Sequence, residues 1–204
     1  MIHAVHLVLG GTAVFLLSLV AVALGLTGQA DLAFTRWLQQ FASPALDRLA
    51  DMNTIIGQAT VDAVLTAILA AGLFVRGPRL AAVAPLLIGL TLIVEVAGKV
   101  LLTHPAPPFE FVRTAFNPLG FHIPTSSSFP SGHVSRTAFL AVFMASLAGR
   151  RWVTVALASV AIATPFLRIY LGDHWLSDTI GAAGLGVATG GLAVLWLRRF
   201  SATG

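Results

Sequence analysis

Apolar and polar positions fall along this chain in long blocks. Val5 to Leu26 carries no charged side chain and exceeds the roughly 20 residues needed to cross a bilayer. Asp31 to Phe41 has a different pattern. Phe34, Trp37, Leu38 and Phe41 recur at i, i+3, i+4 and i+7, with Arg36, Gln39 and Gln40 on the other side, which predicts a short helix lying in the membrane interface. Ser43-Pro44 predicts an N-cap followed by proline at the first helical position. A short polar piece, Leu46 to Asn53, leads into a second span from Thr54 to Val75, with Asp62 in a packing or hydration role. Arg76-Gly77-Pro78-Arg79 reads as a turn, and Leu80 to Leu102 as the third span, with Glu95 and Lys99 spaced i, i+4 near its end. A polar, proline-rich segment, Thr103 to Ser131, separates it from a fourth span, His133 to Ala148. The fifth runs from Trp152 to Leu167 and the sixth from Asp178 to Leu197, glycine-rich in its first half. Small residues there favour close helix packing.

Composition agrees with this outline. Of 204 residues, 10% are charged, against about 25% in soluble domains. The fold expected is an all-α membrane protein, a six-transmembrane-helix bundle with a short interfacial helix between helices 1 and 2, forming one domain over residues 1–204. The first span lacks a small-residue cleavage site and reads as a retained helix. Zero cysteines exclude a disulfide framework, a thiolate nucleophile and Cys-ligated metal. The net charge is +4, but no basic run reaches five residues, so no nucleic-acid partner is expected. Arg76 with Arg79, Arg150 with Arg151, and Arg198 with Arg199 fall on one side of a six-span chain, which the positive-inside rule makes cytoplasmic. Both termini would share that side, and 103–131 would be an extracytoplasmic loop leading into the active-site helix.

The polar residues inside or beside the spans then gather at the other end. Lys99 closes span three, Ser131-Gly132-His133 opens span four, Arg168 closes span five, and His174 and Asp178 open span six. Ionisable groups near membrane depth face a partner or a cavity. Two cations and a helix N-terminus suit an anion, and glycine lets backbone approach it. Asp178, four residues after His174, can hold one ring nitrogen and leave the other free as a nucleophile. His133 can protonate a leaving oxygen and later activate water. No metal or cofactor is required. His104, His133, His174 and Asp178 could alternatively ligate zinc, but Lys99 and Arg168 would repel it. A Ser131–His133 hydrolase is weaker, because i, i+2 positions do not face each other on a helix. A transporter or lipid-binding scaffold is the non-enzymatic alternative. Glu95 is expected to pair with Lys99, Arg136 to sit one turn into span four, Tyr170 and Trp175 to anchor the interface, and His122 to lie in the loop.

Two segments carry a family resemblance. Phe129-Pro130-Ser131-Gly132-His133 and Arg168-Ile169-Tyr170-Leu171-Gly172-Asp173-His174-Trp175-Leu176-Ser177-Asp178 resemble the second and third motifs of the type 2 phosphatidic acid phosphatase superfamily. The resemblance extends from Leu80 to Leu197. It implies a metal-independent lipid phosphatase in which His174 forms a phosphohistidine, Asp178 orients it and His133 is the general acid. Lys99, Ser131, Gly132 and Arg168 would bind phosphate. The expected substrate is a polyprenyl pyrophosphate of the undecaprenyl or decaprenyl type used in cell wall synthesis, with phosphatidylglycerol phosphate or phosphatidic acid as alternatives. The expected location is a bacterial cytoplasmic membrane, with the site extracytoplasmic. Two departures stand out. The family's first motif is Lys, six residues, Arg-Pro, and here Ala106-Pro107 follows Lys99 at that spacing; the third motif's leading serine is Leu167. His104 and Arg113 are the accessory residues expected to compensate for the missing guanidinium, and an inactive or repurposed member is the remaining alternative.

Overall fold

A computed structural model describes residues 2–113 and 127–201. The centre of the expected 103–131 loop, His122 included, lies outside the described residues. The regular elements are α1 (Ile2–Ala23), α2 (Gly28–Gln39), α3 (Pro44–Thr54), α4 (Ala59–Arg76), a 3-10 turn (Arg79–Ala82), α5 (Val83–Leu86), α6 (Gly89–Leu101), a 3-10 turn (Phe109–Phe111), α7 (Gly132–Ala148), α8 (Arg151–Tyr170) and α9 (Leu176–Ser201).

Glycine placement makes α9 the centre of the bundle. A Cβ on Gly184 would press into the backbone of Gly11 and Phe15, and one on Gly191 would crowd Ala4 and Leu7, so α1 lies directly on α9. On the opposite side Gly186 meets Ser135 and Ala138, and Gly190 meets Phe139 and Val142, which seats α7. Close backbone approach replaces large side chains as the packing device, as is usual for helices surrounded by lipid. Ala4, Ala84, Phe139, Phe143 and Val194 fill the core at one end. Trp196 Nε1 donates to the Leu80 carbonyl at 2.8 Å. That bond brings the Arg198–Arg199 end of α9 to the Arg79 turn.

Two expectations are corrected. Among the described residues five segments, not six, are long and apolar enough to span: Ile2–Ala23, Ala59–Arg76, Arg79–Leu101, Arg151–Tyr170 and Leu176–Ser201. The helix expected fourth, α7, has 17 residues, about 26 Å of rise against a hydrocarbon thickness of about 30 Å. Its neighbours shelter it, and Ser135, Arg136 and Thr137 are all buried in its first half. The third span is also not one continuous helix. Pro85 lacks the N–H an uninterrupted helix needs, and the segment is built as a 3-10 turn, α5 and α6 in sequence.

The short helices between α1 and α4 follow their sequence signals. Ser43 Oγ accepts from the Leu46 N–H, with Pro44 at the first position of α3. On α2 Trp37 is exposed, as is Phe41 just beyond its end, while Asp31 and Thr35 are buried against the bundle. Gly57, at φ +82°, reverses the chain between α3 and α4, against the His133 backbone.

Candidate active site

The second motif is held by its own apolar residues. Phe129 is fully buried, stacks on Phe15 with centroids 6.0 Å apart, and its ring fills the space beside Gly181. Pro130 packs on Gly98 of α6. Ser131 is the N-cap of α7, but its side chain makes no capping bond. Its N–H donates to the Asp178 carbonyl at 3.4 Å, and its hydroxyl is buried without a hydrogen-bond partner. Gly132 is required by close approach, since a Cβ there would overlap the Glu95 carboxylate. The first N–H groups of α7 have no partner within the helix, so the turn that carries His133 presents backbone donors.

The third motif closes against it. Asp178 is fully buried; its Oδ2 accepts from the Trp175 N–H at 2.9 Å and lies 3.4 Å from His174 Nδ1. With Nδ1 taken by the carboxylate, Nε2 of His174 is the nitrogen left for chemistry. Arg168 donates through Nη1 to Thr54 Oγ1 at 3.0 Å and pairs through Nη2 with Asp173 at 2.9 Å. Its Nε is buried and unpartnered. His133 lies in the electrostatic field of Arg168, Arg136 and His174, and its Nε2 is likewise buried without a partner.

The fold therefore brings His133, His174, Asp178, Arg168, Ser131 and Gly132 to one end of the bundle. Lys99 stands on the helix packed against the second motif, with Nζ 2.8 Å from Glu95 Oε1. The two accessory residues diverge. His104 enters the cluster: its Nε2 is 3.3 Å from Asp178 Oδ1 and 3.3 Å from Ser177 Oγ. The first of these is an ion-pair distance without hydrogen-bond geometry, so Asp178 Oδ1 stays unbonded. Arg113 turns away. It forms a two-point pair with Asp47, Nε to Oδ1 at 2.9 Å and Nη2 to Oδ2 at 3.1 Å, and lies over the Tyr170 ring. The Arg113 and Tyr170 hydrogen bonds together hold the Asp47 carboxyl below its ordinary range. Ala106 is exposed, next to Pro105, whose carbonyl accepts from Trp175 Nε1 at 2.7 Å.

Two features were not visible in the chain's pattern. Asp31 of α2 accepts from both the N–H and the hydroxyl of Ser177, each at 2.8 Å, and so caps the helix that carries Asp178. Arg136 is the centre of a buried charge network. It donates to Asp62 Oδ2 at 3.0 Å, to Glu95 Oε2 at 2.6 Å, and twice to the Gly57 carbonyl. The i, i+4 spacing pointed to Lys99–Glu95, but no local spacing signals partners 41 and 74 residues away.

Among the described residues, no group of three or more His, Cys, Asp or Glu could hold a metal ion. The charged lining is instead three histidines, His104, His133 and His174, and Arg168 around the buried Asp178 carboxylate. With the helical bundle it defines an integral membrane protein whose polar cluster suits an oxyanion. The chain belongs to the PAP2 superfamily of membrane phosphatases, whose family model matches residues 80–202, and it is a PAP2-type hydrolase acting on lipid phosphates. Two solved structures share the fold. A transmembrane PAP2 type phosphatidylglycerolphosphate phosphatase from Bacillus subtilis is 22% identical, with TM-score 0.77, covering 93% of this chain and 96% of that one. LpxE from Aquifex aeolicus is 21% identical, with TM-score 0.64, covering 81% of this chain and 95% of that one. Comparison with curated proteins gives no match.

Proposed function

We propose that this protein removes phosphate from a glycerophospholipid phosphate monoester of the phosphatidylglycerol phosphate or phosphatidic acid type. The observation that carries the reading is the set of buried, unpartnered atoms beside the His174–Asp178 pair: Ser131 Oγ, His133 Nε2 and Arg168 Nε. Ser131 Oγ and Arg168 Nε donate as they stand and His133 Nε2 does so when protonated, and a buried donor left unpaired costs about 1–3 kcal/mol. A phosphate dianion satisfies all three and leaves His174 Nε2 facing phosphorus. His174 attacks in line, expelling the lipid alkoxide, which takes a proton from His133. The phosphohistidine is then cleaved by water that His133 deprotonates. Lys99, Arg168 and the N–H groups of Gly132 and His133 neutralise the equatorial oxygens.

The choice of a glycerophospholipid monoester over the polyprenyl pyrophosphate expected from sequence rests on the likeness to the phosphatidylglycerolphosphate phosphatase over nearly both full chains. The three arginine pairs sit at the bundle end remote from the cluster, which supports an extracytoplasmic site. A cysteine placed at Ala106 should then react with a membrane-impermeant maleimide in intact cells.

A phosphate-release panel tests the reading. Phosphatidylglycerol phosphate, phosphatidic acid, polyprenyl monophosphate and polyprenyl pyrophosphate are compared, each with and without excess chelator. Highest kcat/KM on a glycerophospholipid monoester, unaffected by chelator, supports it. Preference for the pyrophosphate overturns the substrate assignment. His174→Ala should abolish release from every substrate while the protein stays folded in detergent, and retained turnover refutes the nucleophile.

A further inference from the structure

Glu95 is held by two cations with different freedom. Arg136 grips Oε2 at 2.6 Å while its remaining donors are fixed by Asp62 and the Gly57 carbonyl. Lys99 holds Oε1 at 2.8 Å and is the more exposed of the pair, its side chain 15% accessible against 6% for Glu95. An arginine fork pinned at several points does not reorient, whereas a lysine is a point charge on a flexible stem. Lys99, Glu95, Arg136 and Asp62 form a chain of alternating charge, two positive and two negative. Its open end, at Lys99, lies beside the second motif, because Glu95 packs on Gly132 and Gly98 packs on Pro130.

We infer that Arg136 is a positioning residue whose counter-charge on Glu95 lets Lys99 leave that carboxylate for the substrate's phosphate. The inference rests on the phosphate-binding role proposed for Lys99. Without a second cation, Lys99 departing would strand a buried carboxylate, and breaking a buried pair from one side is strongly unfavourable. With Arg136 in place, Glu95 keeps a charge-assisted bond and the exchange is one ion pair for another. Glu95 is then a resting berth for Lys99, and Arg136 sets how tightly the lysine is kept there.

The test separates KM from kcat, on the best substrate of the panel, and measures competitive inhibition by inorganic phosphate. Arg136→Met should raise both KM and the phosphate inhibition constant about tenfold with kcat changed less, because Glu95 then retains Lys99. In a Glu95→Gln background the same Arg136→Met change should add little, since glutamine does not hold the lysine. A purely structural role predicts that the two substitutions add or worsen each other, and that result overturns the inference. If Arg136→Met does not fold, Glu95→Gln alone decides: the freed Lys99 should lower the phosphate inhibition constant several-fold, and a rise overturns the inference. Lys99→Met is the control for the underlying reading. If it leaves KM unchanged, the phosphate role of Lys99 fails, whatever the Arg136 variants do.

Discussion

Asp31 offers the clearest separation of scaffold from chemistry. It lies on the interfacial helix α2, is 2% exposed, and both of its oxygens accept from Ser177, one from the N–H and one from the hydroxyl, at 2.8 Å. Ser177 precedes Asp178 in the first turn of α9, where N–H groups have no partner within the helix. Asp31→Ala removes two bonds to a charged acceptor, about 1.5–3 kcal/mol each, and leaves the Ser177 N–H stranded. A loss of about 3–5 kcal/mol follows, which at ~2–4 °C per kcal/mol for a chain of this size lowers Tm by roughly 6–20 °C. Asp31→Asn keeps one acceptor of the right shape and should lose about half as much. Thermal unfolding in detergent, followed by tryptophan fluorescence, measures the shift. Phosphate release at a temperature where both variants are folded measures the effect on Asp178. A Tm change under about 2 °C for Asp31→Ala, the bottom of the range per kcal/mol, refutes the capping role.

Three further outcomes follow from the geometry. Gly132→Ala drives a methyl into the Glu95 carboxylate, so Glu95 must shift against Lys99 and Arg136; a loss of up to about 3–5 kcal/mol, the cost of a broken buried pair, should appear as a Tm fall accompanied by reduced kcat/KM. Ala106→Arg, at an exposed position in the first motif, should raise kcat/KM by lowering KM, since a guanidinium adds a two-point phosphate clamp; a fall in kcat/KM shows that the pocket has been built around alanine. The Asp47 carboxyl is held below its ordinary 3.8, chiefly by the Arg113 hydrogen bond. Its contribution is therefore complete above that value and is lost as pH falls through the lower folded value. Hydrogen exchange at the Arg113 amide, which donates to the Leu171 carbonyl, should quicken over that acid window, and Asp47→Asn should abolish the dependence.

What the chain discloses on its own is what local spacing encodes. The apolar run of α1, the i, i+3, i+4, i+7 face of α2, the Ser43-Pro44 start of α3 and the glycines of α9 are all local patterns, and each forms the element it signals. The third motif works the same way, because His174 and Asp178 are four residues apart across the start of α9. The long-range pairings had no such signal. Asp31 meets Ser177 across 146 residues, and Arg136 meets Asp62 across 74. A lone charge in an apolar span announces that it needs a partner but not which one. The division of the third span into two helices was also hidden, because Leu80 to Leu90 carries no polar side chain and only Pro85 marks the break. Arg113 had the right charge and the right neighbourhood, yet Asp47 on α3, a helix the sequence showed only by its start, takes it.

The order of partners around Arg136 bears on how the protein is made. Asp62 and Glu95 both precede Arg136 in the chain, so during synthesis from the N-terminus the two carboxylates reach the membrane before the arginine that joins them. α7 then arrives as a helix too short to span comfortably and burdened with a cation that by itself disfavours insertion by about 2.5–3.5 kcal/mol. It enters a bilayer where its counter-charges already wait. α9, which follows, supplies the glycine face that seats it. Substitutions at Asp62 or Glu95 would therefore lower the yield of inserted protein, an effect separate from the activity of the molecules that do insert.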